Sequence, residues 1–117
     1  MGSRLGIVAV DCRDPERLAA FWTALLDYEV VDVDDDGISI AAPDRSGVTV
    51  DFLVVPDDKT VKNRLHFDLR PDDRDAEVER ALALGATRVD IGQGPDVTWV
   101  VLADPEGNEF CILRALP

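Results

Sequence analysis

The chain of 117 residues contains one histidine, and an acid follows it two positions later, in His66-Phe67-Asp68. An imidazole beside a carboxylate can pass a proton to a bound molecule, or it can be half of an ion pair that stiffens a sheet. A single histidine also sets a limit: the chain cannot itself build a two-histidine-one-carboxylate iron centre. The two cysteines, Cys12 and Cys111, are too few for a disulfide framework, and each is expected in a strand as a small buried hydrophobe. Gly92-Gln93-Gly94-Pro95 lacks the spacing and the following helix of a phosphate loop. No serine nucleophile motif is present.

The elements that must position these groups are legible from local signals. Leu5 to Cys12 is β-branched and apolar and predicts a strand. Asp14-Pro15-Glu16 predicts a helix start, with Asp14 as N-cap and Pro15 at the first helical position. Leu18, Phe21, Trp22, Leu25 and Leu26 then form one apolar stripe. Strands are expected over Tyr28–Val33, Ile38–Ala42 and Val48–Val55, with Asp34-Asp35-Asp36-Gly37 as a hairpin turn. After a polar linker, Pro56 to Asn63, the order begins again. A strand is expected over Leu65–Leu69 and a helix from Asp72 or Asp73 to Gly85, with Val78, Ala81 and Leu82 inward. Strands near Thr87–Ile91, Val97–Ala103 and Glu109–Leu113 follow, the last two joined by a turn at Asp104-Pro105-Glu106-Gly107-Asn108.

The second half therefore repeats the first at an offset of about 60 residues. Arg4-Leu5 corresponds to Arg64-Leu65, Gly47 to Gly107, Asp51 to Cys111 and, roughly, Ile7 to His66. The expected fold class is α+β: two tandem βαβββ modules, 4–55 and 64–114, joined by linker 56–63 in a single domain. Strand alternation assigns faces. If His66 points toward a ligand, so does Asp68, while Leu65, Phe67 and Leu69 pack on helices. Ile7, Ala9 and Asp11 share a face, as do Glu109, Cys111 and Leu113, and Trp99, Val101 and Ala103 line the neighbouring strand. The candidate ligand-binding residues are Ile7, Asp51, Asp68, Trp99, Val101 and Cys111, with His66 the candidate acid/base. Apolar walls with a few polar points suit an apolar or aromatic small molecule bearing one or two polar groups.

Three stretches carry a family resemblance. Leu102-Ala103-Asp104-Pro105-Glu106-Gly107-Asn108-Glu109-Phe110-Cys111 resembles the C-terminal signature of the glyoxalase/bleomycin-resistance/extradiol-dioxygenase (vicinal oxygen chelate) superfamily. Lys62 to Leu69 and the helix Asp14 to Trp22 look like its small bacterial glyoxalase-like branch. The resemblance implies an eight-stranded, cup-shaped mixed sheet with helices outside, and commonly a homodimer. It also implies four metal-ligand positions, which fall here on Ile7, Asp51, His66 and Cys111. Ile7 cannot bind a metal, and Cys111 stands where a glutamate is usual. The expectation is therefore no cofactor, with a divalent zinc, nickel or iron ion on Asp51, His66 and Cys111 as the alternative. The matching functional expectation is a small-molecule-binding protein with a degenerate metal site. The alternative is a glyoxalase-type lyase or isomerase using His66.

Charge and hydropathy limit the partners. With 24 acids against 12 bases the net charge is −12, which repels phosphate backbones and anionic lipid surfaces. No apolar run approaches the roughly 18–20 residues of a membrane span, and Met1-Gly2-Ser3-Arg4 has no secretion-signal character. A cytoplasmic protein with no nucleic-acid or membrane partner is expected.

Overall fold

The computed structural model describes residues 2–90 and 97–117. Ile91, where the Thr87–Ile91 strand was expected to end, and the Gly92–Pro95 turn lie outside the described residues.

The chain divides into two compact units, Met1–Asp58 and Lys59–Pro117. In the first, β1 (Ile7–Cys12) leads to α1 (Pro15–Leu26), then β2 (Glu29–Asp34), β3 (Gly37–Ala41) and β4 (Thr49–Val54). The second has β5 (Phe67–Leu69), α2 (Arg74–Leu84), β6 (Thr87–Arg88), β7 (Val100–Ala103) and β8 (Glu109–Ile112). Hydrogen bonding arranges these strands as two four-stranded sheets, ordered β1-β4-β3-β2 and β5-β8-β7-β6. The two orders are the same order. In each sheet the first and last strands of the module pair in parallel and the other neighbours are antiparallel. The fold is α+β, built from tandem βαβββ modules.

Local chemistry explains the boundaries. The Asp14 side chain accepts from the Arg17 backbone N–H at 3.1 Å, and Asp73 does the same for Ala76 at 3.1 Å, so each helix is capped where the sequence places an acid before its first turn. The β2–β3 hairpin is tightened by Asp34, whose Oδ1 accepts from the backbone N–H groups of Asp36 and Gly37. Gly37 must be glycine, because a Cβ there would collide with the Phe52 carbonyl.

Each helix covers one face of its sheet. Leu18, Ala19, Phe21, Trp22 and Leu25 of α1 are buried, and α1 packs on β3 and β4, which contribute buried Ile38, Ile40, Val50 and Phe52. Trp22 and Phe21 meet edge to face, with centroids 5.1 Å apart. In the second unit α2 packs on β8, with Val78 and Ala81 buried, as are Leu102, Phe110 and Ile112.

Three strand expectations need correction: β6 ends at Arg88 rather than running on toward Ile91, β7 begins at Val100 rather than Val97, and β5 starts late. Leu65 was assigned to a strand and a helix-facing side chain, but β5 begins at Phe67 and Leu65 is 87% exposed. Asn63 is drawn to Glu109, and pairing with β8 begins only at Phe67, so residues 64–66 lie outside the ladder and the alternation argument does not reach Leu65.

Candidate functional site

The short ladder between β5 and β8 sets up the chemistry of the second unit. Asp68 pairs with Cys111, and Cys111 in turn pairs with Val101 on β7, so these three residues form one row across the sheet. Residues in one row point to the same face. His66, one residue before β5, reaches that row: its Nε2 lies 3.1 Å from Asp68 Oδ1. The His66 and Asp68 side chains are 41% and 49% exposed, whereas Cys111 and Val101 are buried. Trp99, just before β7 and in parity with Val101, is 38% exposed. The result is a polar pair open to solvent, a thiol behind it and a half-exposed aromatic ring one residue before β7.

Asp68 is the hub of this arrangement. It receives the His66 contact, and it is hydrogen-bonded to the Cys111 thiol. Burial pushes the Cys111 thiol up from its ordinary value of 9.0, and the charge of Asp68 and its hydrogen bond push it further the same way, against a weaker opposite pull from Lys62. The thiol is thus held protonated, as a donor to the carboxylate. Arg70 does not neutralise the pair; its guanidinium donates to the Arg114 carbonyl at 2.8 Å.

The segment that delivers His66 is itself anchored. Glu109, at the start of β8, accepts from the Asn63 backbone N–H at 2.8 Å and pairs with Lys59 at 2.7 Å. Burial raises the Glu109 carboxyl, but the Lys59 ammonium and the Asn63 N–H together outweigh it and hold the group below its ordinary value of 4.5. Asn63 Nδ2 also donates to Asn108 Oδ1 at 3.3 Å. Asn108 lies in a turn closed by buried Asp104, which accepts from the backbone N–H groups of Glu106 and Asn108. Sequence reasoning took residues 56–63 as a plain linker and missed this anchor. The only available signal was a lysine and an asparagine shortly before a new strand.

The remaining candidates lie in the first unit. Asp51, on β4, stands between Ala9 and Ser39 in the register. Its Oδ1 is buried and has no hydrogen-bond partner among the described residues, an arrangement that costs free energy until a donor arrives. Ile7 is 57% exposed, on the same alternation as Ala9 and Asp11.

The comparisons with known proteins agree with this topology. The sequence model of the glyoxalase-like domain matches residues 7–113. The chain belongs to that family. No curated protein matches it. Among solved structures, a glyoxalase/bleomycin resistance protein/dioxygenase family enzyme from Burkholderia phytofirmans PsJN is 22% identical, with TM-score 0.74 over 97% of this chain and 100% of that one. A variant of the fosfomycin resistance protein FosX from Listeria monocytogenes, complexed with Mn(II) and 1S,2S-dihydroxypropylphosphonic acid, is 15% identical, with TM-score 0.74 over 99% and 92%. The bleomycin resistance determinant encoded on transposon Tn5 is 18% identical, with TM-score 0.65 over 98% and 100%. At these identities the likeness is one of fold. Among the described residues no helix of this glyoxalase-like protein is long and apolar enough to cross a membrane.

The family's metal raises a question of fit that the side chains can answer. Ile7 contributes only hydrocarbon, so the four-position set does not close. Among the described residues, the group whose ligand atoms approach one another is His66, Asp68 and Cys111, all within 4.8 Å. One nitrogen, one oxygen and one sulfur suit a tetrahedral zinc-type ion with a fourth position open. An ion held there would polarise an oxygen of a bound molecule.

Proposed function

We propose that this glyoxalase-like protein binds a small organic molecule with an apolar or aromatic body and one or two polar groups. The observation that carries the reading is the face of the second sheet. Trp99 supplies a half-exposed ring, Val101 an apolar floor, and the His66–Asp68 pair two polar points of opposite hydrogen-bonding character. In the first module, Ile7 and Asp51 keep their assignment as ligand-facing residues. The unpartnered Asp51 Oδ1 supports this, since a ligand N–H or O–H would supply the donor it lacks.

The test is a panel of aromatic and apolar compounds read by thermal shift and by tryptophan fluorescence. Trp22 is buried in the core, so a quench on binding reports Trp99. Stabilisation of the wild-type protein that falls at least about tenfold in affinity in Trp99→Ala supports the assignment, and equal affinities in the two proteins remove Trp99 from the site.

One observation favours a second reading. A half-exposed imidazole oriented by a carboxylate at 3.1 Å is equipped to move a proton, as a glyoxalase-type lyase or isomerase requires. Turnover of a 2-oxoaldehyde–thiol adduct that disappears in His66→Ala would establish it. Ligand binding without turnover leaves the protein a binder.

A further inference from the structure

We propose that the second module alone carries a site for a zinc-type divalent cation, with a His66 nitrogen, an Asp68 carboxylate oxygen and the Cys111 sulfur as its ligands. The inference shares its surface with the ligand-binding reading above and goes beyond it by naming a cation and the carboxylate that binds it. The four positions implied by resemblance are spread over the first and last strands of both modules. The cluster here needs only β5, the residue before it, and β8, all within Lys59–Pro117. Asp68, rather than Asp51, is the carboxylate.

Three features support the site. The Asp68–Cys111 register pair fixes two donors on adjacent strands, so their separation is set by the ladder and not by loop geometry. Metal–ligand bonds of about 2.0–2.3 Å around a tetrahedral ion put donors roughly 3.3–3.8 Å apart, so the cluster closes with side-chain movements of about 1 Å. His66 and Asp68 are half-exposed and give a cation a way in, while Cys111 is buried behind them. The donor set also selects. A thiolate and an imidazole disfavour magnesium and calcium, which take oxygen ligands. On binding, the thiol proton leaves to solvent and the carboxylate exchanges its thiol and imidazole contacts for the ion. Asn63, held by Glu109, restrains the chain three residues before His66 and so pre-positions the imidazole.

The experiment is titration of tag-free, reduced protein with cobalt(II) alone, a spectroscopic stand-in for zinc. One equivalent should bind, with a near-ultraviolet thiolate-to-cobalt charge-transfer band and intense visible absorption of a tetrahedral site, both bleached by zinc. Cys111→Ser should abolish the charge-transfer band. His66→Ala and Asp68→Asn should each weaken binding at least about tenfold, Asp68→Glu should retain it, and Asp51→Asn should change it less than about twofold. Far-ultraviolet circular dichroism of each variant verifies folding. Absence of the band in folded wild-type protein overturns the proposal, as does an Asp51→Asn loss equal to that of Asp68→Asn. Because no organic ligand is present, a failure here leaves the Trp99 binding test standing, and the reverse also holds.

Discussion

Where β1, β4 and β3 meet, the first module carries Ala9, Asp51 and Ser39 in one row; the corresponding row of the second carries Asp68, Cys111 and Val101. The backbone does the same thing twice, and the side chains do not. In the second module the polar groups of the row satisfy one another, with Asp68 accepting from Cys111 and lying 3.1 Å from His66. In the first, the acid has hydrocarbon on one side and a serine on the other, and its Oδ1 is unpartnered. Duplication has fixed where functional positions fall; it has not fixed what they do. The cores differ in a related way. Val50 and Phe52 alternate on β4, where β8 has Phe110 and Ile112, so the large and small residues change places beneath similar helices.

The largest effects should come from that exchange. Phe52→Ala and Phe110→Ala each remove a side chain almost wholly shielded from water and should each cost about 3–5 kcal/mol, read from urea unfolding. A cost several-fold smaller in one module would show that its core can collapse around the gap, and would break the equivalence.

Next is a feature only the second module has. Glu109 corresponds to Thr49 in the first, and its pairing with Lys59 is largely buried. Lys59→Met should destabilise by about 3 kcal/mol because it leaves a buried carboxylate without its cation. The pH dependence follows from the direction of the Glu109 shift. Its native pKa lies below the ordinary 4.5, so its stabilisation is complete above that value and is lost as the pH falls through the lower native one. Acid unfolding of Glu109→Gln should therefore show less pH dependence than wild type in that window.

A gain-of-function variant sharpens the comparison further. Ile7→His with Ala9→Asp would give the first module the arrangement of the second, because Ala9 pairs with Asp51 as Asp68 pairs with Cys111. A second, weaker cobalt equivalent should appear, without a charge-transfer band because its third donor is an oxygen. No second equivalent would mean that register alone is not enough.

The smallest effect concerns the helix ends. α1 closes on Asp27 in the left-handed region, at φ 56°, whereas α2 closes on Gly85 at φ 121°. Asp27→Gly should relieve backbone strain and stabilise by about 0.5 kcal/mol, visible as a small rise in Tm.

Much of this molecule could be read in advance, and the reasons are local. Asp14, Asp73, Gly85 and the Asp34–Gly37 turn announce element ends through hydrogen bonds spanning a few residues. The repeat carried the strand order from one module to the other. Alternation assigned Cys111 to its row, since β8 obeys it over the needed positions, whereas His66 lies one residue before β5 and meets Asp68 by a side-chain contact at 3.1 Å. What stayed hidden depends on pairing across long separations. That Glu109 would hold Lys59 and Asn63, some 46 residues away in the latter case, has no local signature. The same anchor delays β5 to Phe67 and leaves Leu65 in solvent. The choice between Asp51 and Asp68 as partner for Cys111 was hidden too. The family resemblance pointed to the first, and the β5–β8 register sets the second beside Cys111.

Strand β8 has two attachments that seem unrelated until they are placed side by side. Its first residue grips the backbone just ahead of the imidazole, and its third residue is the thiol. Reach and depth are therefore set by a single rail: a change that slides this strand would carry both groups together and keep their spacing. Loosening the grip at its head would let the imidazole swing while the sulfur stayed put. A substitution at position 109 could thus retune affinity without any atom of residue 109 touching what is bound.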